Sequence, residues 1–424
     1  MTASSTDGGE SAGRRVAVVG AGIVGLCSAR YLLDRGFEVE VFDPLDPGTA
    51  CSFGNAGVLS AWSCVPLSMP GEWKLAPKWL LDPMGPLSIR WQYLPAVTPW
   101  LLRFLRAGRR DQIAALSDAM FVLNNPCVGH YRELLRGSGH EDLIRDSAYV
   151  HLYRNPEDAD ADAPGCVLRR THGASLRVLN AAEVRAIEPA ISTEYRAALL
   201  IENQGRTTNP ARLCRVIAED VRRRGGHFSR AEVRTLRPRN GDSVLLEVDG
   251  VTRVFDKAVV AAGAWSRSLL EPLGIRIPLE SGRGYHVMFA NSGIALNNSV
   301  TDNDLHFAVS SMETGLRVSG MMEFAGADAP ETPRRYRILT KLAKRMIPDL
   351  NGDPDERWMG QRPVIPDTLP VIGAHADHPS LLLAFGHGQL GLTGAPMTGR
   401  IIAALAAGER PNIDLAPYRP ERFA

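Results

Sequence analysis

The order of apolar and polar positions divides the chain into distinct elements. Arg15-Val16-Ala17-Val18-Val19 is a β-branched, apolar run of the kind that is buried on both faces of a parallel sheet. After a glycine-rich turn, residues 26–35 place Leu26, Ala29, Leu32 and Leu33 on one side of a helix that Gly36 ends. Glu38–Phe42 is a second strand, closing on Asp43. Residues 111–136 keep Ile113, Leu116, Met120 and Leu123 in helical phase, and 148–154 read as a strand. An amphipathic helix is predicted over 209–224, capped by Asn209 with Pro210 in its first turn. Residues 244–248 and Val251–Phe255 predict a hairpin turning at Asp249-Gly250. A buried strand follows over 258–264. Residues 283–289 alternate as a strand does, so Tyr285 and His286 point to opposite faces. Residues 316–320 read as a strand, 334–347 as a helix, Leu381–Phe385 as a buried strand and 396–407 as a closing helix.

Composition narrows the classes. The 424 residues are 45% hydrophobic and 22% charged, which is ordinary for a globular protein too long for one core. Lys and Arg number 48 against 47 Asp and Glu, so no overall field attracts nucleic acid. Six cysteines without a CxxC pair give neither a disulfide scaffold nor a metal knuckle, and reduced thiols in a cytoplasmic setting are expected. Arg14-Arg15 before an apolar run resembles an export signal, but the run flows into a glycine motif and reads better as a strand. Residues 1–13 are small and polar, a predicted flexible tail.

Segment 62–110 stands apart. It holds five of the seven tryptophans (Trp62, Trp73, Trp79, Trp91 and Trp100) and ends in Arg103, Arg106, Arg109 and Arg110. Such a mixture fits peripheral contact with the inner face of a membrane. It equally fits a helical subdomain that packs its aromatics inward, and the prolines favour this second reading because they break an amphipathic stripe. The acidic stretch 154–164 reads as a solvated turn.

The chemistry begins at Gly20-Ala21-Gly22-Ile23-Val24-Gly25. In a dinucleotide fingerprint, Gly20 makes the tight turn, Gly22 lets a pyrophosphate approach the backbone, and Gly25 lets helix and strand pack closely. The helix start offers unpaired N–H groups to phosphate. Asp43, 18 residues beyond Gly25, is placed to accept from ribose hydroxyls and favours a free 2′-OH. One fingerprint near the N-terminus, with no second later, favours FAD. Residues 48–60 form a small, glycine-rich loop suited to a flat ligand, and Gly386–Thr393 repeats the sequence of strand, glycine turn and helix near the other end.

Six motifs occur in order. They are Gly20 to Gly25 with Asp43; Ser52-Phe53-Gly54-Asn55-Ala56-Gly57; VVAAGAWS at 259–266; Gly282-Arg283-Gly284-Tyr285; Gly360-Gln361-Arg362-Pro363 with Pro366, Asp367 and Pro370; and Gly386-His387-Gly388 with Gly391. Together they make the sequence resemble the FAD-dependent amino-acid oxidoreductases of the D-amino-acid oxidase and glycine oxidase superfamily. The likeness is strongest to the bacterial D-amino-acid dehydrogenase small-subunit and D-hydroxyproline dehydrogenase branch, and runs from Val16 to about Phe423.

The resemblance implies a mixed α/β fold. A Rossmann-type FAD-binding domain (14–62, 207–275 and 357–424) is interleaved with an antiparallel-sheet substrate domain (63–206 and 276–356). It implies FAD contacts from Gly20, Ala21, Gly22, Ile23, Val24, Gly25, Asp43, Pro44, Ser52, Asn55, Ala56, Gly57 and Val58. Further contacts would come from Val233, Ala262, Gly263, Trp265, Gly386, Gly388, Gln389, Leu390, Gly391, Leu392 and Thr393. FAD would be non-covalent, because Gly360 to Gly373 lacks the cysteine to which sarcosine oxidases attach it.

Arg362 matches the arginine that pairs with a substrate carboxylate, and Tyr285 would add a hydroxyl to the same group. His387 is the third catalytic candidate, acting either as a base or by shaping its loop. The implied reaction is hydride transfer from the Cα of a D-amino acid to flavin N5, giving an imine. The segment PLSMPGEWKLAPKWLLDPMGPLSIRWQYLPAVTPWLLRFLRA most resembles the hydroxy-D-proline branch, and that resemblance implies a cyclic substrate such as D-proline or cis-4-hydroxy-D-proline rather than D-alanine. The alternatives are an oxidase of glycine, L-pipecolate or an N-methyl amino acid, or a flavin subunit that relays electrons within a larger complex. The electron acceptor is open between oxygen and a quinone-type carrier.

Overall fold

The computed structural model describes residues 15–71, 74, 76–239 and 243–423; the tail expected over residues 1–13 lies outside them. A six-stranded sheet runs in the order Val371–Ala374, Leu381–Phe385, Lys257–Val260, Arg15–Val19, Glu38–Phe42 and His227–Ser229. Val371–Ala374 is antiparallel to its neighbour and the other pairings are parallel. Because side chains alternate, Val16, Val18, Val39, Val41, Val259 and Leu382 face one core, together with helices Ile23–Asp34, Pro210–Arg223 and Gly391–Ala406. Ala17, Val19, Phe42, Ala258, Val260 and Leu383 face the other, against a small sheet of Val233–Arg239, Ser243–Val248 and Val251–Phe255. Burial on both faces is why the central strands, Val16–Val19, Ala258–Val260 and Leu381–Phe385, read as unbroken apolar runs. The hairpin turns at Asp249 and Gly250, both at positive φ (51° and 78°).

The two ends of the chain meet in this body. An added Cβ at Gly399 would lie 2.7 Å from the Cys27 carbonyl oxygen, so helices Ile23–Asp34 and Gly391–Ala406 touch backbone to backbone.

A ten-stranded sheet forms the second layer. Its main path runs Glu356–Val364, Glu280–Phe289, Gly315–Phe324, Phe307–Met312, Ser299–Asp302, Ile144–Tyr153, Ala197–Thr207 and Val58–Leu59. Helix Pro333–Met346 covers one face with Tyr336, Leu339, Leu342 and Met346 against Tyr285, Val287 and Val318. The opposite face of the strands near Glu356–Val364 meets the loop that holds residues 52–57.

Two elements differ from expectation. The helix predicted over 111–136 is two helices, Arg110–Asn124 and Cys127–Leu135, separated at Pro126, which cannot donate a helical hydrogen bond. Segment 62–110 is divided, as its prolines imply, into helix Ala76–Leu81, strand Leu87–Ile89 and helix Leu94–Ala107, but the last of these continues through Pro99. The missing N–H falls only one turn from the helix start, where a single lost bond is tolerated. The segment's aromatics divide. Trp100 is buried and stacks on Phe104 (5.3 Å, 14°), and Trp62 stacks on Phe121, whereas Trp91 faces water; Trp73 lies outside the described residues. Among the described residues no helix is long and apolar enough to cross a membrane.

Candidate active site

The fingerprint folds as its glycines dictate. Gly20 has φ 109°, and a side chain there would strike the Ala261 carbonyl. A Cβ on Gly25 would overlap the Gly20 carbonyl oxygen, so only glycine lets the helix cross the strand here. The Ala21 N–H donates to Asp43 Oδ2 (2.7 Å), and Leu45 N–H donates to Oδ1 (2.8 Å). Ile23 N–H donates to Ser52 Oγ (3.0 Å). Helix Ile23–Asp34 has no cap from Gly22 and no acid in its first turn, so beyond the Ile23 N–H that Ser52 takes, its partial positive charge is left for an anion.

Helix Gly391–Ala406 likewise starts without a side-chain cap or an acid, after Gly386 and Gly388 at positive φ (88° and 56°). Leu392 and Thr393 are buried in its first turn, Leu390 is partly buried and Gln389 exposed. Val233 is buried close to Asp43, whose carbonyl accepts from Ala231 N–H (3.1 Å). Ala262 and Gly263 follow the strand beside Gly20, while Trp265 and Pro44 lie at the surface.

The 52–58 loop is held from several sides. Asn55 Oδ1 accepts from Gly57 N–H (2.8 Å), Thr207 N–H donates to the Gly57 carbonyl (2.7 Å), and Val58 pairs with Arg206. Ala56 is partly buried between them. Arg317 reaches across from the sheet, and its Nη1 donates to the carbonyls of both Phe53 and Asn55 (2.8 Å each). Burial pushes this guanidinium down to about 10. Two uncapped helix starts, an acid beside the first turn and a tethered glycine loop are the donor set that a dinucleotide needs.

The sheet face opposite this loop is built by cross-strand register. Gly282 faces Arg362, Gly284 faces Gly360, and His286 faces Trp358. The Arg362 guanidinium occupies the space that a Cβ on Gly284 would take. Its Nη1 donates to the Met321 carbonyl (2.6 Å), which a β-bulge turns toward it; Met321 has φ 66°. Its other N–H groups have no protein partner among the described residues. Trp358 lies over Gly360 and against Gly54, stacked on His286 (5.1 Å, 20°) and tilted against Phe53 (6.1 Å).

The electrostatics leave Arg362 unopposed. Burial lowers its pKa, with only Cys51 acting the other way. Cys51 is itself pushed up to about 11 by burial, against the pull of Arg362. His286 is pushed down to about 3, chiefly by burial and then by Arg317. At neutral pH both neighbours are uncharged, so among the described residues the guanidinium meets no anion and suits an incoming carboxylate.

Two catalytic candidates lie elsewhere. Tyr285 and His286 do face opposite ways, but His286 takes the side of Arg362. Tyr285 is buried under helix Pro333–Met346, where its hydroxyl donates to Glu323 and accepts from Thr332 N–H (3.2 Å). The expected sharing of a carboxylate by Tyr285 and Arg362 does not form. His387 is buried with Nε2 2.8 Å from Thr398 Oγ1, and burial lowers it to about 3. Its ring ties the glycine turn to the following helix, which is the loop-shaping alternative rather than a base. Arg317, Trp358 and Met321 have no site role in the sequence reading, and Phe53 enters it only within the 52–57 motif. A signal existed for Trp358, which lies two residues before Gly360 and therefore on the face of Arg362.

Residues 15–405 match the family described as FAD dependent oxidoreductase (DAO). The chain belongs to the DAO family. A D-amino-acid oxidase of Bradyrhizobium diazoefficiens is 37% identical over 422 residues, spanning 97% of this chain and 99% of that protein. The DAO fold is shared with glycine oxidase from Geobacillus kaustophilus (TM-score 0.72, 22% identity, 96% of this chain and 98% of that one). It is shared also with L-proline dehydrogenase from P. horikoshii (TM-score 0.73, 18% identity, 97% and 98%). This DAO chain is an FAD-dependent amino-acid oxidoreductase, and the residues around Gly22, Asp43, Ser52 and Gly391 fit that cofactor.

Proposed function

We propose that the chain dehydrogenates a D-amino acid at Cα, with a cyclic substrate such as D-proline or cis-4-hydroxy-D-proline favoured. The observation that carries this reading is the Arg362 guanidinium, seated on Gly284 and fixed by the Met321 carbonyl with its remaining N–H groups uncommitted. A guanidinium so held can grip a carboxylate with two parallel bonds and so decide which hydrogen on Cα faces the cofactor. The D-amino-acid oxidase relative supports the hand of the substrate. The Trp358, His286 and Phe53 stack supplies an apolar wall against which a ring can rest.

The 20–25 turn, the 52–58 loop and the 386–393 turn would hold FAD, which would supply the two-electron acceptor for the Cα hydride. It would be non-covalent, as Gly360 to Gly373 contains no cysteine. On this reading segments 14–62, 207–275 and 357–424 serve FAD, and 63–206 and 276–356 serve substrate. The His286 imidazole beside Arg362 is held down to about 3, too weak a base to take a proton from an ammonium, so the substrate amine must arrive unprotonated. Activity then rises with pH through the amine's own titration.

The test is anaerobic bleaching of the flavin band (near roughly 450 nm, a property of the cofactor) against a panel of D- and L-amino acids. Fastest bleaching by D-proline or its hydroxylated form supports the reading, and fastest bleaching by glycine or L-pipecolate refutes it. Turnover of the lone chain with an artificial acceptor excludes a pure relay subunit. The same assay run with oxygen distinguishes oxidase from dehydrogenase.

A further inference from the structure

Helix Leu94–Ala107 has two apolar faces. Val97, Trp100, Leu101 and Phe104 pack inward against Phe324, Met322 and Val364, and Trp100 Nε1 donates to the Val364 carbonyl (3.3 Å), two residues from Arg362. The outward face presents Leu94, Leu102 and Leu105 at helical spacing, preceded by Trp91. Trp91 is 78% exposed, Leu102 63% and Leu105 48%. A surface helix normally turns only one apolar stripe inward, so the second stripe needs another partner.

Charge says which partner. Segment 62–110 holds seven Lys and Arg against two Asp and Glu, in a chain whose net charge is +1. Arg103, Arg106 and Arg110 are exposed and pair with no carboxylate among the described residues. Next to Leu105 a crevice of about 390 Å³ opens between Ser68–Gly71 and the helix end, with Arg109 and Arg110 on its rim. Leucines and a tryptophan level with unpaired arginines match the boundary between acyl chains and anionic headgroups. A second copy fits poorly, because a two-fold contact centred on this stripe would oppose Arg103 and Arg106 to their own equivalents.

We propose that the outer face of helix Leu94–Ala107, with Trp91 and the Arg103–Arg110 cluster, docks the protein on an anionic lipid surface. The leucines and Trp91 enter the interface, and the arginines neutralise headgroups. The strand bearing Arg362 is thereby held one helix away from the bilayer. This inference does not depend on which amino acid is oxidised.

The test is flotation of the FAD-loaded, full-length protein with vesicles of phosphatidylcholine alone or phosphatidylcholine mixed with phosphatidylglycerol. Binding to the mixed vesicles that weakens with salt is expected, with little binding to the neutral ones. Arg103→Glu with Arg106→Glu lowers partitioning by at least about tenfold, and Leu102→Ser with Leu105→Ser abolishes it. Both variants keep wild-type flavin content and turnover with a soluble acceptor. Should either variant lose flavin, Trp91→Ser, which sits outside the packed core, takes its place with the same expected loss. The proposal is overturned if the wild type ignores anionic vesicles at low salt, or if these variants bind as well as wild type. It is also overturned if the wild type is a dimer that the leucine variant splits, which would assign the face to a second copy.

Discussion

Gly284→Ala probes the seat of Arg362 without touching the guanidinium itself. A methyl group at Gly284 falls inside the volume held by Arg362 Cζ and its two terminal nitrogens, so the side chain must swing off the sheet and release the Met321 carbonyl. A hydrogen bond to a charged group contributes about 1.5–3 kcal/mol. Losing the aim of one or two such bonds to a substrate carboxylate therefore costs about 2–4 kcal/mol, or roughly 30- to 1,000-fold in kcat/KM. Steady-state turnover of an amino acid and of its amide, with an artificial acceptor, reads this directly. The acid should suffer the full loss and the amide little, because the amide never engages the guanidinium as an anion. Flavin content should match wild type, since the atoms an added methyl at Gly284 meets first belong to Arg362 and not to the 20–25, 52–58 or 386–393 segments. Combining Gly284→Ala with Arg362→Leu should add little to either single change, as both remove one interaction. Wild-type kcat/KM for the acid in Gly284→Ala, or equal damage to acid and amide, refutes the reasoning.

Arg362→Leu should raise KM for acids at least tenfold while leaving flavin absorbance unchanged. Ser52→Ala removes the acceptor for Ile23 N–H and a hydroxyl at the fingerprint, and should weaken FAD retention by about 1 kcal/mol, measured as cofactor release on dilution. Arg317→Met leaves the Phe53 and Asn55 carbonyls without their donor and should destabilise the fold by roughly 2 kcal/mol, with faster proteolysis at the 52–57 loop. His387 is held down to about 3 in the fold against an ordinary 6.5. The unfolded chain therefore binds a proton that the native state refuses. Its contribution is intact above pH 6.5 and falls by about 1.4 kcal/mol per unit as pH drops toward 3. Urea melts at pH 7 and 5 should show a shallower pH slope in His387→Gln, and an identical slope removes His387 from that role.

The dinucleotide body was legible because its signals are local. The fingerprint glycines, the two-sided apolar strands and the Asp249-Gly250 turn each follow from a few neighbouring residues, and the structure repeats them. The site face depends instead on which strands lie side by side. That Gly284 sits opposite Gly360, and His286 opposite Trp358, is a register between segments over seventy residues apart, and no window of sequence contains it. Alternation correctly separated Tyr285 from His286. The inward one was decided by helix Pro333–Met346, which brings Tyr336 and Thr332 to the Tyr285 side. Pro99 misled for a related reason: its cost depends on its depth in the helix, and one turn from the start it removes a single bond. Ala197–Thr207, which carries much of the larger sheet, has no place in the sequence reading: its first half is apolar without alternation, and its polar half is buried as well, with Gln204 and Thr207 almost fully enclosed.

The backbone contact between Gly399 and Cys27 sets a timetable for biosynthesis. Helix Ile23–Asp34 leaves the ribosome among the first elements, yet the surface that it packs against is translated nearly four hundred residues later, as is the strand Leu381–Phe385 that completes its sheet. Until then only helix Pro210–Arg223 and the neighbouring strands cover its apolar side, and the glycine turns meant for the same cofactor cannot converge. Loading with flavin is thus an event of the finished polypeptide, and a nascent or C-terminally truncated chain should emerge colourless and in need of a chaperone.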